Sequence, residues 1–190
     1  MAVFSLLGVD NVRVEIDSDE LPGMDGSAEP FYQAISQAGL IEQNALRNVT
    51  VIAEPLYAVE GRAVAIALPY DGFRISYTLD YNMPEVPTDH VDVDCQVPHN
   101  AEQLTRARTF CLEREAVVLQ QMGYGKGADF SNTLVIGPDG PINNAFRLKH
   151  ELACHKVMDM IGDLYLAGAL RAHIIALRCG HTANAALVKR

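Results

Sequence analysis

The sequence predicts an α+β fold in which strands gather ahead of the longest helix. Three observations carry this. Strand-like runs follow one another through residues 49–95, the longest helical pattern comes only at 150–167, and the two types do not alternate as a regular β-α-β winding would require. A length of 190 residues suits one ordinary domain, or one domain plus part of another.

Residues 2–7 read as the last turns of a helix that Gly8 ends. Met1 is not a capping residue, so this helix is expected to begin upstream of the chain. Residues 11–17 alternate apolar and polar with period two, the pattern of a half-buried strand. Pro22, Gly23 and Gly26 make 18–26 turn-like, and 27–38 read as a helix closed by Gly39. The polar patch 44–48 is the expected domain boundary. Strands follow at 49–53, 63–68 and 73–79, with a fourth at 91–95. Short helices are predicted at 101–107 and 113–122, a loop at 123–129, and a strand at 133–136. The longest helix stops at Gly168, a strand at 172–177 follows, and Gly180-His181 opens a terminal helix.

Composition is that of a soluble globular protein, 49% hydrophobic and 21% charged without tryptophan. No apolar run approaches the roughly 20 residues of a membrane span, so no transmembrane segment is expected. The apolar start lacks a basic region and does not read as a signal peptide. A formal net charge of −9 argues against a nucleic-acid surface, which needs clustered Lys and Arg. Cys95, Cys111, Cys154 and Cys179 show no CxxC spacing, which reads as free thiols in a reducing cytoplasm.

The long helix holds the sharpest constellation. His155 and Asp159 are four apart, so they share a face at metal-ligating distance, and Glu151 and Asp163 continue the stripe. Such stripes are ordinarily solvated. Here Leu152, Met158, Gly162 and Leu166 flank it, and Val157, Ile161 and Leu164 lie opposite. A helix apolar almost all round is buried, and buried carboxylates and imidazoles need partners or a metal. Spacing alone leaves two readings open, a metal or catalytic site and a hydrogen-bonded core network.

Other signals are weaker alone. His181 stands where a strand turns into a helix, and is either a capping residue or a general acid–base. Arg108-Thr109-Phe110 sets a polar pair beside an aromatic. The run from Gly123 to Gly127 lacks the spacing and ending of a phosphate loop. A Cys₂His₂ zinc site from Cys154, His155, Cys179 and His181 is disfavoured, because adjacent helical residues point about 100° apart.

Six strings in register resemble one family. They are Leu7-Gly8-Val9-Asp10-Asn11; Met24-Asp25-Gly26-Ser27-Ala28 with Pro30-Phe31; Ala107-Arg108-Thr109-Phe110; His155-Lys156 with Asp159; Ile161-Gly162-Asp163-Leu164; and Gly180-His181 with Asn184. Together they resemble the UDP-3-O-acyl-N-acetylglucosamine deacetylases (LpxC) of lipid A synthesis. The resemblance implies a two-layer sheet/helix sandwich over residues 47–190, preceded at 1–46 by the tail of a similar first domain. It also implies an acyl-passage insert at about 112–136.

The resemblance further implies zinc (Zn²⁺) held by His155 and Asp159, with Thr109 stabilising the oxyanion. His181 would protonate the leaving amine, oriented by Asp163. Lys156 and Phe110 would bind the substrate, a UDP-linked acylated amino sugar. The family's adjacent Glu-His, which supplies its third ligand and its base, occurs nowhere in these residues. Cys154 stands where the family usually has Arg, Cys111 where it has Gly, and Arg178-Cys179 where it has Lys-Ser. Gly127-Ala128-Asp129 replaces its Gly-Gly-Ser.

Three readings follow. The chain is a zinc amidase numbered from an internal methionine, a non-catalytic nucleotide-sugar or acyl-binding remnant, or half of a split enzyme. A complementing N-terminal segment or partner chain is expected in the first and last. The cost of burying polar residues without a use favours the amidase.

Overall fold

The structure is a computed structural model and describes residues 1–19, 21–122 and 127–190. In chain order its elements are α1 (Ala2–Leu7), α2 (Glu29–Ala38), β1 (Val49–Val51), β2 (Leu56–Glu60), β3 (Ala63–Leu68), β4 (Phe73–Leu79) and β5 (Asp89–Asp94). There follow α3 (Pro98–Thr105), β6 (Phe110–Leu112), α4 (Glu113–Gln121), β7 (Leu134–Gly137), β8 (Gly140–Pro141), α5 (Glu151–Leu164), a 3-10 turn (Tyr165–Ala167), β9 (Ala169–Leu177) and α6 (His181–Val188).

The main sheet runs β2-β3-β9-β4-β5, with β1 parallel to the first residues of β9. β4 and β9 are also parallel, from Phe73↔Ala172 to Thr78↔Leu177. The remaining pairs are antiparallel. β6, β7 and β8 form a second, small sheet.

One face of the main sheet is buried under α5 and α6. Ala65 and Ala67 of β3, Ile75, Tyr77 and Leu79 of β4, and Ala172, Ile174 and Ala176 of β9 alternate inward. They form one core with Val157, Met160, Ile161 and Leu164 of α5 and Ala183 and Leu187 of α6. Removing these side chains from water supplies most of the favourable folding energy, about 1.5–3 kcal/mol for each large one. The alanines on β3 and β9 keep the sheet surface low, which brings the helix backbones near it. This is the α+β class that the element pattern predicts and the two-layer sheet/helix arrangement that the resemblance implies.

The predicted strand at 11–17 does not form, and no described strand pairs with it. Val12, Val14 and Ile16 are each 54% exposed, so the alternation has neither a ladder nor a core to serve. β2, β6 and β8 were absent from the expected elements. The predicted helix at 27–38 begins at Glu29, after a turn in which Asp25 Oδ1 accepts both the Ser27 N–H (3.1 Å) and its hydroxyl (2.8 Å). Every residue of α2 keeps some exposure, Phe31 and Ile35 being half-buried. Of the loop expected at 123–129, residues 123–126 lie outside the described residues; Gly127 is in a turn, and 128–129 form no regular element. No described helix is long and apolar enough to cross a membrane.

Candidate active site

α5 carries most of the predicted site residues because its inner face is fastened to the sheet. Its other side faces α1, α3 and the segment between α3 and β6. At Gly162 the approach of α1 is tight. A β-carbon there would lie 3.2 Å from the Ala2 backbone nitrogen, so the first turn of α1 rests beside Asp163.

His155 Nδ1 lies 3.3 Å from the Ala107 carbonyl oxygen. A carbonyl only accepts, so Nδ1 carries a hydrogen, and in the neutral ring Nε2 then keeps its lone pair. That lone pair faces Asp159 Oδ1 at 3.4 Å. Burial pushes the His155 imidazole below its ordinary value, and the Asp159 charge opposes this only in part. A neutral ring nitrogen and a carboxylate oxygen both offer electrons and no hydrogen. Two such groups aimed at one point suit a bound cation. Among the described residues no third His, Cys, Asp or Glu joins them.

Asp159 is also tied to Lys156, whose Nζ donates to Oδ2 at 3.0 Å. The same ammonium stands 5.2 Å from the centre of the Phe110 ring. Phe110 meets His155 edge-on with ring centroids 6.1 Å apart, and meets Tyr81 the same way. Lys156, Phe110 and the His155–Asp159 pair therefore form one cluster.

One turn further along α5, Asp163 Oδ2 accepts from His181 Nδ1 and from Asn184 Nδ2, each at 2.8 Å. The carboxylate accepts only, so His181 also carries its hydrogen on Nδ1 and presents Nε2 outward. The His181 side chain is 72% exposed while Asp163 is mostly covered. His181 opens α6 with no side-chain cap, so the pairing with Asp163, and not helix capping, holds its ring. Behind it, the buried Tyr77 hydroxyl donates to the Cys179 carbonyl at 2.5 Å and pins the strand end that leads into Gly180-His181.

Thr109 is half-buried in a stretch held on both sides of the chain. Its N–H donates to the Gly26 carbonyl at 2.8 Å, and its carbonyl accepts from the Leu134 N–H at 2.9 Å. The hydroxyl makes no hydrogen bond among the described residues and is free to serve a ligand. Six of the seven predicted site residues thus fall into two clusters one turn apart on α5, and Thr109 lies on the segment between two residues that touch His155, namely Ala107 and Phe110.

The Cys₂His₂ alternative is not assembled. Cys179 Sγ turns to the Val64 and Leu177 carbonyls at 3.1 and 3.5 Å, and burial pushes both the Cys154 and Cys179 thiols up to about 11.

Sequence reasoning named Arg108 within a motif but gave it no role. It is buried against Glu151, the first residue of α5, with their side chains 3% and 0% exposed. The stripe 151–155–159–163 flagged Glu151, but nothing in the sequence names its partner. Tyr77 and the Ala107 carbonyl were missed, since neither carries a local signal.

The family model described as LpxC, UDP-3-O-acyl N-acetylglycosamine deacetylase, matches residues 1–190. The chain is similar to the UDP-3-O-acyl-N-acetylglucosamine deacetylase of Myxococcus xanthus (strain DK1622), at 37% identity over 192 residues that cover 100% of this chain and 61% of that protein. It is similar to the protein of that name from Xanthomonas campestris pv. campestris (strain B100), at 35% identity over 193 residues, covering 100% of this chain and 64% of that protein. For the one from Nostoc sp. (strain PCC 7120 / SAG 25.82 / UTEX 2576) the identity is 34% over 196 residues, covering 100% and 70%. The chain thus spans a little over three-fifths of the length of the first two.

Proposed function

The chain belongs to the LpxC family of UDP-3-O-acyl-N-acetylglucosamine deacetylases, and on that footing we propose that it takes part in hydrolysing the N-acetyl group of a UDP-linked, 3-O-acylated glucosamine, releasing acetate, in cytoplasmic lipid A synthesis. The observation that carries the reading is His155 Nε2 facing Asp159 Oδ1, one helical turn from the His181–Asp163 pair.

His155 and Asp159 would hold Zn²⁺. Bound there, the ion would supply Lewis acidity to the acetamide carbonyl and lower the pKa of a coordinated water. The Thr109 hydroxyl donates a hydrogen bond to the oxygen that gains charge as the carbonyl is attacked. In its protonated form His181 carries a second hydrogen on the outward nitrogen and delivers it to the departing amine, while Asp163 fixes the ring through Nδ1–H and balances the imidazolium. Lys156 binds the substrate near its nucleotide-sugar portion, and Phe110 packs on the sugar ring. The region at about 112–136 guides the acyl chain. Residues 1–46 belong to a first domain, and a complementing segment or partner chain completes the ligand set and provides the general base.

The test is zinc binding and acetate release, measured on the chain alone and with an upstream Glu-His segment joined to it. The reading expects both to rise sharply on joining. No gain in either would sink it. His155→Ala should abolish the gain. If that variant instead binds the nucleotide sugar as well as the parent, with no acetate released by either, the non-catalytic binding reading replaces this one.

A further inference from the structure

Glu151 is 1% exposed, yet it lies in none of the proposed chemical steps. Its carboxylate accepts four N–H groups. Arg108 supplies its backbone N–H at 3.2 Å, Nε at 2.8 Å and Nη2 at 3.2 Å, and Arg147 supplies its backbone N–H at 2.6 Å. Arg108 spends its remaining bonds on Asn144 Oδ1 at 2.9 Å and the Ala145 carbonyl at 2.7 Å. Burial would raise the Glu151 carboxyl, but these hydrogen bonds override it and hold the group below its ordinary value.

A buried ion pair is poor value as a source of stability. Apolar residues of the same volume often do as well or better, because two charges must first be desolvated. What this pair does that an apolar contact would not is fix direction. The guanidinium fork meets a carboxylate in one plane, and so locks residue 108 to the first turn of α5 in one orientation. Its neighbours are the point. Ala107 holds the His155 Nδ1 hydrogen, and Thr109 presents the free hydroxyl. Three consecutive residues therefore orient the ring, lock to the helix and carry a hydroxyl without a partner among the described residues. The turn at Asp25 joins the same knot, because Arg147 pairs with Asp25 and Thr109 bonds to Gly26.

We propose that the Arg108–Glu151 pair is the positioning device of this active site, setting the Thr109 hydroxyl and the tautomer of His155 against one another. The proposal rests on the reading of His155 and Thr109 given above, and it concerns geometry before metal or substrate arrives. Loss of the pair should free segment 107–109, let the His155 proton redistribute between its two nitrogens, and uncouple Thr109 from the reaction.

The experiment compares the parent with Glu151→Gln and Arg108→Lys. Circular dichroism checks that each folds. ¹⁵N NMR of the His155 ring, at one neutral pH without metal, reads the tautomer. The parent should show Nδ1–H alone and both variants a mixture. In the zinc-loaded, complemented protein, Thr109→Ala should lower kcat at least tenfold in the parent background and less than threefold with Glu151→Gln, with KM within threefold throughout. Folded variants that keep the Nδ1–H tautomer, and in which Thr109→Ala costs as much as in the parent, would overturn the proposal. So would failure of both variants to fold, since the pair would then be structural. If the parent releases no acetate, the deacetylase reading fails by itself, and the tautomer still decides the positioning claim.

Discussion

A β-carbon placed on Gly26 would stand 1.8 Å from the Asn132 carbonyl oxygen, far inside contact distance. Gly26 also has a φ of +82°, which side chains rarely adopt. The Gly26 carbonyl accepts the Thr109 N–H, so this close approach sets how deep residue 109 sits. Gly26→Ala should destabilise the fold by about 2–4 kcal/mol, a sum of left-handed strain and overpacking. Urea unfolding would read the loss, and a change under about 0.5 kcal/mol would refute the account.

Tyr77→Phe removes one hydroxyl and leaves the Cys179 carbonyl without its described side-chain partner. Deleting one partner of a buried hydrogen bond costs about 1–3 kcal/mol. The same change loosens the strand end before His181. A thermal midpoint equal to the parent's would show that water replaces the hydroxyl there.

Acid should weaken the protein through Glu151. Its folded carboxyl lies below the unfolded value of 4.5, so the native state favours the ionised form. That contribution is complete above the unfolded value and is lost as pH falls through the folded one. Stability of the parent over Glu151→Gln should therefore shrink as pH drops from 5 toward 3. A pH-independent difference between the two curves would contradict this.

Asp163→Asn keeps the shape of the group that receives His181 and Asn184 but removes its charge. In the complemented enzyme kcat should fall about 10²-fold, the scale of acid–base catalysis, with KM little changed. A fall in affinity alone would place Asp163 in substrate binding instead.

Zinc should stabilise the folded chain by mass action, about 2.7 kcal/mol at a hundred times its dissociation constant. A thermal-shift titration should show the rise in the parent and lose it in His155→Ala and in Asp159→Asn. Equal rises in all three would locate any metal elsewhere.

Much of this was legible in the primary structure, for particular reasons. α5 was foreseen from apolar residues almost all round it, and β3 and β4 from unbroken apolar or alternating runs, because these patterns report burial directly. His155, Asp159 and Asp163 could be singled out because helical geometry converts a spacing of four into a shared face. Residues 11–17 were misread because alternation encodes two faces but no partner, and β6 and β8 escaped because two or three residues hold no period.

What the sequence determined by itself is local: which segments are apolar enough to bury, where glycine ends a helix, and which polar residues share a helical face. What only the tertiary structure decided is the company those residues keep. Arg108 finds Glu151 across 43 residues, His155 finds a carbonyl at Ala107, and the Thr109 N–H finds the carbonyl of Gly26. The physical reason is that periodicity is a property of one backbone element. A buried charge is satisfied by whatever the packing of several elements brings within hydrogen-bond distance, and no spacing along the chain records that.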